Sequence, residues 1–162
     1  MSRFTISQAD GRGDIAAARG LFSDYANWLE NDHGISLEFQ GIGAELAGLP
    51  GKYAAPGGDI YLAKDETGAA FGCVAFRPFE GETCEIKRLY VASTARGHAL
   101  GRRLVKAVLK GAKDAGYSAA VLDTAGFMGQ AQRLYESFGF ADIPKYYDNP
   151  VEGVRYMGAR LE

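Results

Sequence analysis

The sequence predicts one α/β domain built on a mixed sheet, and three observations predict it. Apolar residues recur at helical spacing at Ile15, Ala18, Leu21, Phe22, Tyr25, Trp28 and Leu29, and again at Leu100, Leu104, Val105, Val108, Leu109 and Ala112. Between these stretches lie three short strand runs joined by the turns "DETG" and "PFEGE". After the second helix the short apolar run "AAVLDT" precedes a further helical pattern, so strands and helices alternate late in the chain. The 162 residues suit a single domain, 1–162, with one sizeable core.

The elements follow in order. Phe4–Ser7 reads as a first strand, closed by the turn-rich "ADGRGD". The first helix comes next, and "GIGAELAGLPG" adds a short second one, stopped at Gly48–Pro50. "KYAAPGGD" is a loop by its proline and glycines. Strands Ile60–Lys64, Ala70–Arg77 and Thr83–Val91 form an antiparallel meander. The long helix from Leu100 ends near Gly116. "AAVLDT" is a buried strand, Ala131, Leu134, Tyr135 and Phe138 mark a helix stopped by Gly139, and "FADIP" and "VRYMGARL" finish as strands around the loop "KYYDNP".

Composition excludes several classes. Apolar residues make up 47% and charged residues 23%, and the net charge of -2 gives no basic field for nucleic acid or an anionic membrane. Cys73 and Cys84 have neither metal-ligand nor disulfide-framework spacing and read as buried reduced thiols. "MSRFTISQAD" lacks the apolar core of a signal peptide, and no apolar run is long enough to span a bilayer. A cytoplasmic protein without a metal is expected.

Two local features point to a ligand. In Thr83–Val91, Cys84 and Ile86 set one apolar register while Leu89 and Val91 set the other, as a β-bulge near Lys87–Arg88 would. The alternative is that Lys87 and Arg88 sit at a solvated edge. In "STARGHALGRRLVKAVLK", Gly97 and Gly101 allow a tight turn, the next helix presents free amides, and Arg96, Arg102 and Arg103 add charge for phosphate oxygens. Neither G-x-x-x-x-G-K-[ST] nor G-x-G-x-x-G is present, which argues against an ATPase loop or a dinucleotide fold.

"CEIKRLYVASTARGHALGRRLV", followed by "AAVLDT" and "AQRLYESFGF", resembles the Gcn5-related N-acetyltransferase (GNAT) family. The resemblance covers the order of elements over nearly the whole chain, and its specific motifs lie in residues 84–140. It implies a mixed, mostly antiparallel sheet splayed after its fourth strand, with helices on both faces and acetyl-CoA wedged into the opening. It implies that the backbone of Leu89, Tyr90 and Val91 pairs with the pantetheine arm. The family's pyrophosphate pattern, [QR]-x-x-G-x-[GA], falls on Arg96, Gly97, His98, Ala99, Leu100 and Gly101, with Arg102 following. Ala99 stands where the family usually has glycine, and Met128 where many members carry asparagine. Tyr135 matches the tyrosine proposed to protonate the departing CoA thiolate.

The chemistry implied is transfer of an acetyl group from acetyl-CoA to a primary amine, of a small molecule or an amino-acid-like acceptor, by direct attack in a ternary complex. Glu85 stands where some members have a general-base glutamate; its alternative role is an ion pair with Lys87, two residues on. Tyr135 is the general acid or, alternatively, core. His98 belongs to the phosphate turn and His33 to a helix end. Tyr53, Tyr146, Tyr147, Phe39 and Gln40 are candidates for the acceptor's wall. A side-by-side Glu85 and Lys87 would suit an acceptor carrying both signs of charge. A second class is a non-catalytic acyl-CoA-binding sensor or docking module, favoured by Ala99 and Met128 and disfavoured by Glu85 and Tyr135. The C-terminal strand would allow a homodimer to form across an axis.

Overall fold

The computed structural model describes residues 3–162. Seven strands form one sheet in the order β1-β2-β3-β4-β5-β7-β6, with β1 Thr5–Gln8, β2 Asp59–Lys64, β3 Ala70–Glu80, β4 Thr83–Val91, β5 Ala119–Thr124, β6 Ala141–Asp142 and β7 Arg155–Arg160. Four α-helices accompany it: α1 Gly11–His33, α2 Ile42–Ala47, α3 Leu100–Asp114 and α4 Gly129–Ser137. Among the described residues only the β4–β5 pair is parallel, so the sheet is mixed and mostly antiparallel, as expected.

The expected helices sit on opposite faces of that sheet. Ala18, Leu21 and Phe22 of α1 pack on Ile60, Leu62, Cys73 and Ala75. Leu104, Val105 and Val108 of α3 pack on Val74, Phe76, Cys84, Ile86 and Leu122. Both thiols are buried and free. Helix α1 runs past its apolar pattern at both ends. Asp14 reaches back to the Asp10 amide at 2.8 Å, and Gly34 closes the helix in a left-handed cap with φ 67°. Gly111 weakens α3 as an isolated helix, but a Cβ there would fall 1.7 Å from the Tyr61 hydroxyl oxygen, so only glycine lets α3 lie this close to β2.

Elsewhere the sequence needs correction at boundaries. The "FADIP" strand contracts to Ala141–Asp142, and the loop after Pro50 contains a 3-10 turn, Gly51–Tyr53. No helix among the described residues is long and apolar enough to cross a membrane.

Candidate active site

Strand β4 pairs with β5 for only three residues, Thr83 with Ala119, Cys84 with Ala120 and Glu85 with Val121. Beyond that point β5 stays with β7, Asp123 opposite Tyr156, while β4 stays with β3. The sheet therefore splits, and the β5-facing edge of β4 from Ile86 onward is left without a strand partner. The splay implied by the resemblance is present at that place.

The bulge is present too. Between the pairs Cys73–Tyr90 and Ala75–Lys87, β3 advances two residues and β4 three, and Arg88 takes φ 64°. The extra residue puts Lys87 and Arg88 on the α1 side together, while Ile86, Leu89 and Val91 keep the α3 side. The bulged carbonyl of Arg88 accepts the Cys73 thiol at 3.2 Å. Lys87 and Arg88 are buried, at 6% and 5% exposure, so the solvated-edge alternative is overturned.

Charge explains how two cations come to be buried side by side. Arg88 is gripped by both oxygens of Glu45, at 2.9 and 3.0 Å, and donates to Gln40 Oε1 at 2.7 Å. Burial pushes Glu45 up, but the Arg88 guanidinium, helped by Arg77 and Lys87, outweighs it and holds the carboxyl below its usual value. Burial and then Arg88 push Lys87 below the usual lysine value, against the pull of Glu85 and Asp123.

The ion pair of Glu85 with Lys87, the alternative to a base role, is present but loose, and Glu85 has a closer partner. Arg77 lies directly opposite Glu85 in the β3–β4 ladder and meets its Oε1 at 3.0 Å, whereas Lys87 Nζ is 4.0 Å from Oε2. Glu85 Oε2 instead accepts the Tyr146 hydroxyl at 2.7 Å. Asp123, read in the sequence only as part of a buried strand, proves to be a site group. Its Oδ2 accepts from Tyr147 and, at 2.8 Å, from Asn149, so it draws in the loop before β7. The one signal for it was an acid at the end of an otherwise apolar run.

A narrow cavity of about 80 Å³ runs into the split between β4 and β5. Lys87, Arg88, Leu89, Asp123, Thr124 and Tyr135 line it, and α1 contributes Tyr25 and Leu29. Phe39, Gln40 and Met128 also reach it, whereas Glu85 is not part of the lining. Tyr135 is 6% exposed, and burial, then Tyr25 and Asp123, push its pKa up, so the phenol stays protonated at neutral pH. Of the other candidates for the acceptor's wall, Tyr146 and Tyr147 join the polar network, but Tyr53 is buried against Phe22.

The other end of the opening leads to the expected phosphate turn. Gly97 takes φ 91° and Ala99 φ 54°, ψ 31°, and α3 starts at Leu100. The first intrahelical bond is Arg103 N to Ala99 O at 3.1 Å, so the amides of Leu100, Gly101 and Arg102 remain free for a ligand. Arg96 is exposed and makes no ion pair among the described residues. Arg102 rests over the Phe138 ring at 5.4 Å. His98 leans instead on Phe4, ring centroids 4.9 Å apart, and His33 at the end of α1 stacks on Phe127 at 3.7 Å. An unpaired strand edge beside a turn of free amides fits an extended thioester arm ending in phosphates.

The chain is similar to known proteins in sequence and in fold. A protein-family profile described as "Acetyltransferase (GNAT) domain" matches residues 56–142. An N-acetyltransferase of Schizosaccharomyces pombe, described as uncharacterized, is 47% identical over 162 residues, covering 99% of this chain and 96% of that one. A GNAT-family acetyltransferase of Staphylococcus aureus superposes with a TM-score of 0.78 at 18% identity, over 99% of this chain and all of that one. A GNAT acetyltransferase of Elizabethkingia anophelis, solved with acetyl-CoA bound, is 27% identical with a TM-score of 0.55, over 65% of this chain and 77% of that one. The motif resemblance, the split sheet and a full-length relative agree: the chain belongs to the GNAT acetyltransferase family.

Proposed function

We propose that residues 1–162 act as one catalytic domain that acetylates the primary amine of a small or amino-acid-like acceptor, by direct attack within a ternary complex. The observation that carries this reading is the parting of β4 from β5 just beyond the Glu85–Val121 pair, with a bulge and a buried polar network at the fork. The exposed backbone of Leu89, Tyr90 and Val91 continues the sheet with the pantetheine arm. Arg96 and the amides from Gly97 through His98, Ala99, Leu100, Gly101 and Arg102 receive the pyrophosphate.

Chain groups then serve each step of the transfer. A free backbone amide beside the bulge polarises the thioester carbonyl. The amine's lone pair forms the C–N bond, the C–S bond breaks, and the sulfur leaves with its electron pair. Tyr135, kept neutral by burial, gives the thiolate its proton. Glu85 takes the proton lost by the amine, reached through water or the Tyr146 hydroxyl because its own oxygens are already engaged.

Release of free CoA thiol from acetyl-CoA, measured with a panel of small primary amines, tests the reading. We expect amine-dependent release with at least one member and mass-verified N-acetyl product. Tight acetyl-CoA binding without release for any amine or amino acid would overturn it.

A further inference from the structure

The cations at the fork are not equally satisfied. Arg88 is held by Glu45 and Gln40, and Arg77 by Glu85. Among the described residues Lys87 makes one hydrogen bond, to Gln40 Oε1 at 3.1 Å, an oxygen that it shares with Arg88. Glu85 Oε2 and Asp123 Oδ1 stand 4.0 Å from its Nζ, beyond hydrogen-bond reach. An ammonium carries three donors, and this side chain is only 4% exposed, so water is a poor substitute partner.

Asp123 is its complement. Oδ2 accepts from Tyr147 and Asn149, while Oδ1 accepts from no group among the described residues. Extending the parallel register from Glu85–Val121 by two residues places Asp123 across the split from Lys87. Both line the same cavity. Beside them Thr124 Oγ1 is buried in the wall with no partner among the described residues. A cation with spare donors, an anion with a spare oxygen and an orphaned hydroxyl thus converge on one small space.

We propose that the acceptor is an α-amino acid with an apolar side chain, its amine held by Asp123 Oδ1 and its carboxylate by Lys87 Nζ. One carbon separates amine from carboxylate in such a molecule, so its two charges fit the 4.0 Å gap between Lys87 and Asp123. Each charge replaces a loose ion pair with a charge-assisted hydrogen bond. A plain amine would engage Asp123 and add a positive charge beside Lys87, leaving Glu85 at 4.0 Å as the lysine's remaining carboxylate, and a long spacer between the two charges would overshoot the gap. The cavity's volume of about 80 Å³ takes the charged end of such a molecule, and the side chain lies outward along the apolar wall of Ile35, Leu37, Phe39 and Val151, where Phe39 is exposed. Asp123 thereby orients the nitrogen toward the bulge where the thioester carbonyl is expected. The proposal rests on the acetyltransferase reading of the same cavity.

The test uses triads that differ only at the carboxylate: L-leucine, L-leucinamide and 3-methylbutylamine, and L-phenylalanine, L-phenylalaninamide and 2-phenylethylamine. With acetyl-CoA and the full chain, kcat/KM for the amino acid should exceed that for its amide and amine by about tenfold or more, the value of one buried charge-assisted bond. Lys87→Met should cut that ratio by about tenfold, and Lys87→Arg should restore part of it. Equal use of all three by the unmodified protein would overturn the proposal whether or not the variants fold. Should no amine be turned over, the catalytic reading fails separately, and calorimetric titration into the CoA-loaded protein still decides. Binding of the amino acids alone sustains the Lys87–Asp123 site; equal binding, or none, removes it.

Discussion

Ala99→Gly isolates the turn on which the phosphate reading depends. Ala99 sits at φ 54°, ψ 31° immediately before α3, in the left-handed region where a Cβ approaches the following carbonyl. That conformation costs an L-residue about 1–2 kcal/mol, which glycine avoids. Glycine's greater freedom in the unfolded chain returns about 0.4–1 kcal/mol of that gain. The Ala99 side chain is exposed, so no burial is lost. The mid-range expectation is a stabilisation of about 0.8 kcal/mol, or about 2–3 °C in Tm for a chain of this size. Thermal unfolding without ligand measures it, and calorimetry with acetyl-CoA measures what the methyl does to the phosphates. Glycine at this position should also tighten acetyl-CoA binding by relieving crowding at the pyrophosphate. A lower Tm would refute the strain argument, and an unchanged affinity would refute the crowding argument.

Three further outcomes follow from the same geometry. Tyr135→Phe keeps the ring against Phe140 and should still bind acetyl-CoA, but should lose about a hundredfold in turnover, less with a more acidic leaving thiol; normal turnover would make Tyr135 core only. Glu85→Gln should lower turnover most at low pH and recover as free amine accumulates; a flat defect there, with a pH-dependent one in Asp123→Asn, would move the base role to Asp123. Burial pushes the Cys84 thiol up to about 12 from 9.0, so the folded chain keeps a proton that the unfolded chain loses. Its contribution is full below pH 9 and is lost as pH rises toward 12, at up to about 1.4 kcal/mol per pH unit. Cys84→Ala should therefore flatten the alkaline fall in urea-unfolding free energy, and an unchanged slope would assign that fall elsewhere.

Local pattern carried much of this architecture. The switch from Cys84 and Ile86 to Leu89 and Val91 disclosed the bulge because a strand's two faces alternate strictly, and an extra residue must show as a break in period. The phosphate turn was legible because glycine and arginine placement constrains backbone and charge within a few residues. The partners at the fork were not legible. Glu45 lies on α2, Gln40 ends the 3-10 turn before it and Asn149 sits in the loop before β7, and where these segments come to rest depends on tertiary packing rather than on their own sequence. Arg77 stands closer to Glu85 than Lys87 does because cross-strand register, set by the hairpin, brings it nearer than the neighbour along the chain.

Amide hydrogen exchange with and without acetyl-CoA tests the central claim most directly, because it reports which backbone groups the ligand covers. Slowed exchange is expected at Leu89 and Val91, whose amides face the opening because the alternate Ala92 amide donates to Phe71 on β3, and in the turn from Gly97 to Arg102. The outer edge of β1 should be unaffected. Saturating acetyl-CoA that protects neither the β4 edge nor the turn would contradict the placement of the thioester in the split sheet.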